Sequence, residues 1–208
     1  MVWSSGRQAV VNAAFGALHA NSHFNYHEWR PIPYQNFVAL MNGHDITVNT
    51  DCSGLVTCCF YRAGQPDPNG RAYDGQGFTG TLLDHLPHIS LGEARPGDLA
   101  VFGDAPGRHV VIIVGTGSDP QCISHGKQGD PHEAPLSNFL GLGRLTVLRG
   151  EFVVKRHRRV RKVKAIVRGD NNHIIGHVYS TRWLWQLRHH PTVRKFAVHH
   201  LHFDPPTD

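Results

Sequence analysis

Cys52 has the sequence surroundings of a catalytic nucleophile. It lies in the segment DCSGLV at residues 51–56, which follows a polar, extended stretch and opens an apolar run. This pattern predicts a cysteine at the start of a helix, where unpaired backbone N–H groups and the helix dipole stabilise a thiolate. The small residues Ser53 and Gly54 leave room for a substrate backbone beside the sulfur. The expected chemistry is attack of a thiolate on a carbonyl carbon, which requires no metal or organic cofactor.

His109 is the expected base for this nucleophile. It opens the β-branched segment HVVIIVG at residues 109–115, and alternation along a strand puts His109, Val111 and Ile113 on one face. We expect that face to pack against the helix that carries the nucleophile. A third polar group is needed to orient the imidazole. His125, at the end of the next predicted strand, is the candidate.

These residues also have structural interpretations. A single cysteine in an apolar helix usually packs in a core, and with 17 histidines in the chain the type of any one residue is a weak signal. The other cysteines, Cys58, Cys59 and Cys122, lack the spacing of a metal site and are expected to be small buried thiols. The assignment of a catalytic pair therefore depends on its context.

The surrounding elements follow from hydrophobic periodicity and turn residues. Helices are predicted over residues 6–19 and 52–63, with an irregular stretch at 21–50 between them. A Gly- and Pro-rich surface excursion is predicted at 64–94, with one short helix at 79–85. Short β-branched segments predict strands at 98–102, 109–114, 121–124 and 144–148. Helices followed by antiparallel strands indicate an α+β domain over residues 1–150.

Residues 151–208 differ from this body in charge. They hold 12 Lys and Arg against 4 Asp and Glu, a net charge of +8, whereas residues 1–150 carry a net charge of −3. Two strands at 163–167 and 173–179 flank the turn GDNN, and a helix at 181–190 and a last strand at 196–203 follow. The prediction is a small basic ββαβ-like extension.

Four segments, in this order, resemble the motifs of NlpC/P60 cysteine peptidases: DCSGLV at 51–56, RPGDLAVF at 95–102, HVVIIVG at 109–115 and ISHG at 123–126. The spacing also agrees, with 57 residues from Cys52 to His109 and 16 from His109 to His125. The resemblance covers about residues 6–150. It implies a papain-like fold in which the helix with Cys52 packs on an antiparallel sheet.

The resemblance also implies a substrate. NlpC/P60 peptidases hydrolyse stem-peptide bonds of peptidoglycan, often the bond between D-glutamate and a diamino acid. The insertion with DPNG at 67–70 and GQGFTGT at 75–81 is similar to versions found in phages of actinobacteria. These similarities imply a wall-degrading enzyme of the phage endolysin type.

Three residues are candidates for binding substrate. The family often has a Tyr and a Gly-Gly before the cysteine; here Tyr26 is the candidate Tyr, but no Gly-Gly follows it. Tyr26 is therefore expected either to contact the substrate or the oxyanion, or to pack in the core. Asp51 is expected to bind a substrate amine or to cap the helix. Ser53, beside the sulfur, is a further substrate contact.

Other functions remain open. An amidase or acyltransferase could share the fold and the cysteine. A structural or nucleic-acid-binding virion protein with a relic peptidase body is the second alternative, because clustered Lys and Arg suit phosphate backbones. We favour an anionic wall polymer as the partner of residues 151–208. The triplet His199, His200 and His202 has weak spacing for a metal site and is expected to lie on a strand surface.

The sequence also bears on location. No apolar run approaches the ~20 residues of a membrane-spanning helix, and residues 10–20 resemble an amphipathic helix more than a signal peptide. We expect synthesis in the cytoplasm without a membrane partner. The protein would then reach the wall by lysis, through a pore or inside a particle.

Overall fold

The structure, a computed structural model, describes residues 5–127, 129–153, 165–168 and 174–178. The chain divides into two compact units, Met1–Lys155 and Arg156–Asp208. In the first unit the helices come early in the chain and most strands of the main sheet follow them. This arrangement confirms the predicted α+β class, with N-terminal helices packed on an antiparallel sheet.

The elements of the first unit are, in chain order, α1 (Ser5–His19), β1 (Phe24–Tyr26), α2 (Tyr34–Met41), β2 (Val48–Thr50), α3 (Cys52–Arg62), α4 (Thr79–His85), β3 (His88–Ile89), β4 (Leu99–Phe102), β5 (His109–Ile113), β6 (Gln121–Gly126), β7 (Gly129–Pro135) and β8 (Leu145–Leu148). A 3₁₀ helix, Leu136–Leu142, lies between the last two strands. The main sheet has the order β3-β8-β4-β5-β6-β7, and its neighbouring strands are antiparallel. Strands β1 and β2 form a separate parallel pair.

The hydrophobic core consists of two clusters. One contains apolar residues of α1, α2 and α3 together with Val110 and Ile112 of β5. The other contains Val111 and Ile113 together with Phe139 of the 3₁₀ helix. The prediction that the face of Val111 and Ile113 packs on the nucleophile helix is therefore wrong. Because every residue of β5 is buried, the hydrophobic pattern gave no sign of which face meets the helices.

Several elements differ from the prediction. The stretch 21–50, expected to be irregular, contains β1, α2 and β2, and β7 was not predicted. The excursion at 64–94 is anchored rather than confined to the surface, since Asp67 and Asn69 are buried. The Asn69 amide donates a hydrogen bond to Thr57 of α3 at 3.0 Å and accepts one from Thr81 of α4 at 2.7 Å. These bonds tie α4 to the nucleophile helix.

The second unit includes two described strands, β9 (Ala165–Arg168) and β10 (Ile174–Val178). They pair antiparallel on either side of the GDNN segment, as the predicted hairpin requires. The helix predicted at 181–190 and the strand predicted at 196–203 lie outside the described residues. Within the part of the chain that the structure describes, no helix is long and apolar enough to cross a membrane.

Candidate active site

The nucleophile candidate is the first residue of α3, and the residues around it form a compact helix start. Asp51 is the N-cap, and its Oδ1 accepts a hydrogen bond from the backbone N–H of Gly54 at 2.6 Å. A β-carbon on Gly54 would collide with Thr50 Oγ1 and lie 3.1 Å from Asp51 Oδ1. A side chain at residue 54 would therefore force a shift at the point where β2 turns directly into the helix that begins with Cys52.

Asp51 also holds a polar network beside the nucleophile. Its Oδ1 accepts a hydrogen bond from the Ser53 hydroxyl at 2.9 Å, and its Oδ2 accepts one from Arg30 Nη2 at 3.0 Å. The same Arg30 nitrogen lies 3.0 Å from Ser53 Oγ. Because both carboxylate oxygens of Asp51 are engaged, the geometry favours helix capping over binding of a substrate amine. The Ser53 hydroxyl is also engaged, and its contact with substrate stays a prediction.

Cys52 is the most accessible of the four cysteine residues, at 7% exposed against 0% for the other three. Burial, with a smaller contribution from the nearby carboxylate of Asp51, raises the pKa of this thiol to about 11. Hydrogen bonds from the backbone N–H groups of Val110 and Ser53 and from the side chain of Thr79 oppose this change. The thiol is protonated at neutral pH in this state, because burial outweighs the effect of the helix start.

His109 lies on the sheet face opposite the helices, as its neighbours in β5 show. Its Nε2 is 2.8 Å from Ser124 Oγ, and its ring stacks on Phe139 with 5.6 Å between centroids and 29° between planes. Burial, with smaller contributions from His132 and His125, lowers the pKa of His109 to about 4. Among the described residues, no hydrogen bond joins His109 to Cys52. The hydrogen-bonded pair expected from the sequence is not formed in this state.

The two candidates nevertheless lie at the same end of β5, although the imidazole is on the far face of the sheet. The backbone N–H of Val110, the residue that directly follows His109, lowers the pKa of the Cys52 thiol and so lies near the sulfur. The pairing of β5 with β6 covers only Ile112 and Ile113 of β5. The edge of β5 that faces β6 is therefore unpaired at its first residues, and the sulfur approaches the backbone there.

His125 does not approach His109 as predicted. Its Nδ1 is 3.1 Å from the carbonyl oxygen of Gly129, and its Nε2 is 3.0 Å from that of Thr50. Ser124 contacts His109, whereas the ring of its neighbour His125 packs against those of Phe24 and Tyr26. In the structure Ser124 holds the place expected for His125. His125 instead links β2, which leads into the nucleophile helix, to the start of β7.

Tyr26 lies beside this link at the end of β1. Its ring is tilted against that of His125, with 5.9 Å between centroids, and its hydroxyl donates to Glu28 Oε1 at 2.7 Å. The pKa of Tyr26 is raised, chiefly by burial and by the bond to Glu28, with a smaller contribution from the charge of Cys52. Tyr26 is thus within electrostatic reach of the thiol, and its role toward substrate stays a prediction.

Sequence reasoning missed three residues of the site: Ser124, Phe139 and Arg30. The position of Ser124 could have been found from its spacing. It follows Cys122 by two residues and therefore shares a face of the strand with it. Cys122 belongs to the second core cluster, together with Val111. Phe139 and Arg30 come from segments without strand or helix periodicity. Their contacts depend on how distant segments of the chain meet.

Comparison with known proteins gives sequence and structural likenesses. No family model matches the sequence. Peptidoglycan endopeptidase RipB of Mycobacterium tuberculosis is 35% identical over 71 residues, which make up 34% of this chain and 26% of RipB. The match thus spans about a quarter of the length of RipB.

Three solved structures are also similar. The structure of the peptidoglycan hydrolase RipB of Mycobacterium tuberculosis has 22% identity and a TM-score of 0.48, covering 73% of this chain and 70% of that one. The NlpC/p60 domain of the peptidoglycan hydrolase SagA has 20% identity and a TM-score of 0.47, covering 69% and 98%. RipD of Mycobacterium tuberculosis, described as a non-catalytic NlpC/p60 domain protein adapted to peptidoglycan binding, has 16% identity and a TM-score of 0.45, covering 67% and 96%.

The chain resembles NlpC/P60 domains. This is the resemblance that the four sequence motifs predicted, and RipB and SagA are both described as peptidoglycan hydrolases. At these identities and coverages the resemblance does not show that this chain has the activity of those proteins. The activity of this chain has to be argued from its own residues.

Proposed function

We propose that the first unit is a cysteine peptidase that hydrolyses peptide bonds in peptidoglycan, with Cys52 as nucleophile and His109 as base. The observation that supports this most is that Cys52 and the backbone of His109 lie near the same end of β5. The sulfur sits at the start of a buried helix against the N–H of Val110, one residue from the base candidate. Of the four cysteines, only this one combines some exposure with N–H donors at its sulfur.

In the proposed reaction the thiol and the imidazole both start neutral, as their pKa values of about 11 and about 4 require. His109 takes the thiol proton as the sulfur of Cys52 bonds to the scissile carbonyl carbon. The backbone N–H groups of Ser53 and Val110 are available to bind the oxyanion. The imidazolium then gives its proton to the leaving amine. Water, activated by the same imidazole, releases the acyl group from the sulfur.

The proposed substrate is the stem peptide, and the proposed bond is that between D-glutamate and a diamino acid. The support is the order and spacing of the motifs around Cys52 and His109. We also propose that the enzyme acts on the wall after release from the cell that makes it, as phage lysins do. An amidase or acyltransferase would use the same thioester chemistry and would differ in its products.

The test is digestion of purified peptidoglycan with mass spectrometry of the products. Wild type should release fragments with a new amine on the diamino acid, and Cys52→Ala should lower the rate by several orders of magnitude. Cys122→Ala is the matched control, because it removes the same thiol from a buried strand position of the second core cluster. Cleavage by Cys52→Ala at the wild-type rate would rule out the proposed nucleophile. Fragments with a new amine on the first stem residue would indicate an amidase.

A second candidate is a domain that binds peptidoglycan without cutting it. The observation in its favour is that the thiol of Cys52 and the imidazole of His109 are both neutral and not hydrogen-bonded to each other. Such a domain would sediment with purified walls and release no fragments. Reaction products that disappear in Cys52→Ala would exclude it.

For residues 151–208 we propose a role in concentrating the enzyme on an anionic wall polymer. The support is their net charge of +8 beside a net charge of −3 in residues 1–150, since opposite charge raises the local concentration of a polymer at the surface. Binding of the full chain and of residues 1–155 to walls and to DNA, at low and high salt, tests this role. Equal wall binding by the two proteins would contradict it. If the full chain binds DNA more strongly than residues 1–155 do but binds walls no better, nucleic acid is the favoured partner.

A further inference from the structure

The base candidate is held by two side chains that belong to none of the predicted site positions. Nε2 of His109 lies 2.8 Å from Oγ of Ser124, and the imidazole ring stacks on Phe139. All three residues are well buried, with 7%, 1% and 5% of their surface exposed, respectively. Few rotamers are open to a buried ring with one face covered and one nitrogen bonded.

The backbone of β6 determines this contact. Ser124 shares a face with Cys122, which packs in the second core cluster beside Val111. In the register with β7, Ser124 lies opposite His132. The ring of Phe139 is near both imidazoles, 5.6 Å from that of His109 and 6.3 Å from that of His132. The hydroxyl therefore faces the base from a strand interior rather than from a loop.

We infer that Ser124 is a positioning residue, whose Oγ accepts a hydrogen bond from Nε2–H of His109 and leaves Nδ1 free as the basic nitrogen. This inference rests on the proposed function of His109. A neutral imidazole carries one N–H. If Ser124 donated instead, the proton would sit on Nδ1 and only the nitrogen already bonded to Ser124 could accept one.

The hydrogen bond from His109 Nε2–H to Ser124 Oγ can form in both the neutral and the charged state of the imidazole. When Nδ1 takes the thiol proton of Cys52, the imidazolium keeps its Nε2–H, and Ser124 Oγ remains its acceptor. When the proton passes from Nδ1 to the leaving amine, the starting tautomer returns. The hydrogen bond between Nε2–H and Ser124 Oγ is kept in both steps, so the imidazole does not have to exchange its tautomer between them. Phe139 fixes the plane of the ring in both states.

The direct test is ¹⁵N NMR of the full chain labelled at histidine, with the His109 signals assigned by loss in His109→Gln. The inference expects neutral His109 to carry its proton on Nε2. Ser124→Ala should mix the two tautomers and lower the pKa of His109, because an acceptor that stabilises the imidazolium is lost. Ser124→Thr, which keeps the hydroxyl, should restore the wild-type tautomer. Ser137→Ala is the matched control, since that serine is exposed and bonds to Asp119.

Activity provides the second arm. Ser124→Ala should lower kcat on peptidoglycan by up to about a hundredfold, as expected for a misplaced catalytic group, with little change in KM. Ser124→Thr should recover most of the loss, and Ser137→Ala should have no effect. An Nδ1–H tautomer in wild type, or an unchanged tautomer in Ser124→Ala, would overturn the inference. If the tautomer results hold while wild type cuts nothing, the positioning stands and the proposed function fails.

Discussion

Burial and the helix start shift the pKa of the Cys52 thiol in opposite directions. Unpaired N–H groups at the first turn of α3 favour the thiolate, but removal of the sulfur from water disfavours it by more, and the pKa of the thiol rises to about 11. The resting nucleophile is therefore a thiol. A substrate that binds over the sulfur meets a neutral site, and deprotonation has to accompany attack.

This state predicts how Cys52 reacts with iodoacetamide. Only the thiolate is alkylated, and a thiol with a pKa of about 11 has a thiolate fraction that grows about tenfold with each pH unit below that value. The alkylation rate, measured by peptide mass spectrometry, should climb throughout the range from about pH 7 to pH 10. Cys52→Ala identifies the adduct. A rate that is constant over this range would mean that the thiolate is already formed at neutral pH.

The environment of His109 predicts that the free energy of unfolding falls at acidic pH. Its pKa falls from 6.5 to about 4 on folding, so the unfolded chain binds the proton more readily than the folded one. Stability contributed by neutral His109 is full above pH 6.5 and is lost as the pH falls through about 4. The difference corresponds to on the order of 3 kcal/mol.

Urea unfolding at pH 7 and pH 4.5 can measure this effect. His109→Gln has no group to titrate at that position, so its free energy of unfolding should fall less between the two pH values than that of wild type. His125, whose pKa is also lowered, is present in both proteins. An identical loss in wild type and His109→Gln would assign the acid sensitivity to other groups.

The elements that carry the site were predictable where one physical signal was sufficient. α3 begins at Cys52 because Asp51 caps it and apolar residues follow, and the prediction placed its start correctly. The partner of His109 was not predictable from the polarity pattern. Strand β5 is buried on both faces, so the pattern could not show which face meets the helices, and the pairing of β6 with β7 shifts register between Ser124 and Gly126.

Strand β7 shows a different reason for a missed element. Its sequence, GDPHEAP, is rich in polar and turn residues and contains two prolines, which are depleted in central strands. The strand lies at the edge of the sheet, beside β6, where a missing N–H donor is tolerated. Its pairing places His132 opposite Ser124, so part of the candidate site depends on an element with weak local propensity.

The junction of β2 and α3 leads to a prediction at this scale. Gly54→Ala would place a methyl group against Thr50 Oγ1 and Asp51 Oδ1, so β2 or the helix start must shift. We expect a loss of about 1–3 kcal/mol in the free energy of unfolding, the usual cost of overpacking. Gly92→Ala is the control, because a β-carbon there meets no atom within 4 Å. Equal stability of the two variants in urea would show that the junction tolerates a side chain.

At the scale of the whole molecule, the first unit continues past the boundary predicted at residue 150. Phe152 stacks on Phe60 of α3 with 5.6 Å between centroids, and the guanidinium of Arg7 lies 4.3 Å from the centre of the Phe152 ring. The N–H of Gly150 donates to buried Asp98 at 3.3 Å. Residues 150–153, the exit segment of the first unit, are thus part of the core that supports the nucleophile helix.

Two truncations separate the role of this exit segment from that of the basic tail. A chain of residues 1–150 loses Phe152, and we expect it to be less stable than a chain of residues 1–155 by about 1–3 kcal/mol, the loss expected for a packed aromatic ring and its cation–π contact. Phe152→Ala in the full chain should cost a similar amount. Leu140→Ala removes an apolar side chain that is 49% exposed and should cost less than about 0.5 kcal/mol. Thermal and urea unfolding measure all four proteins. If residues 1–150 unfold at the same urea concentration as residues 1–155, the exit segment contributes nothing, and the unit ends where the sequence predicted.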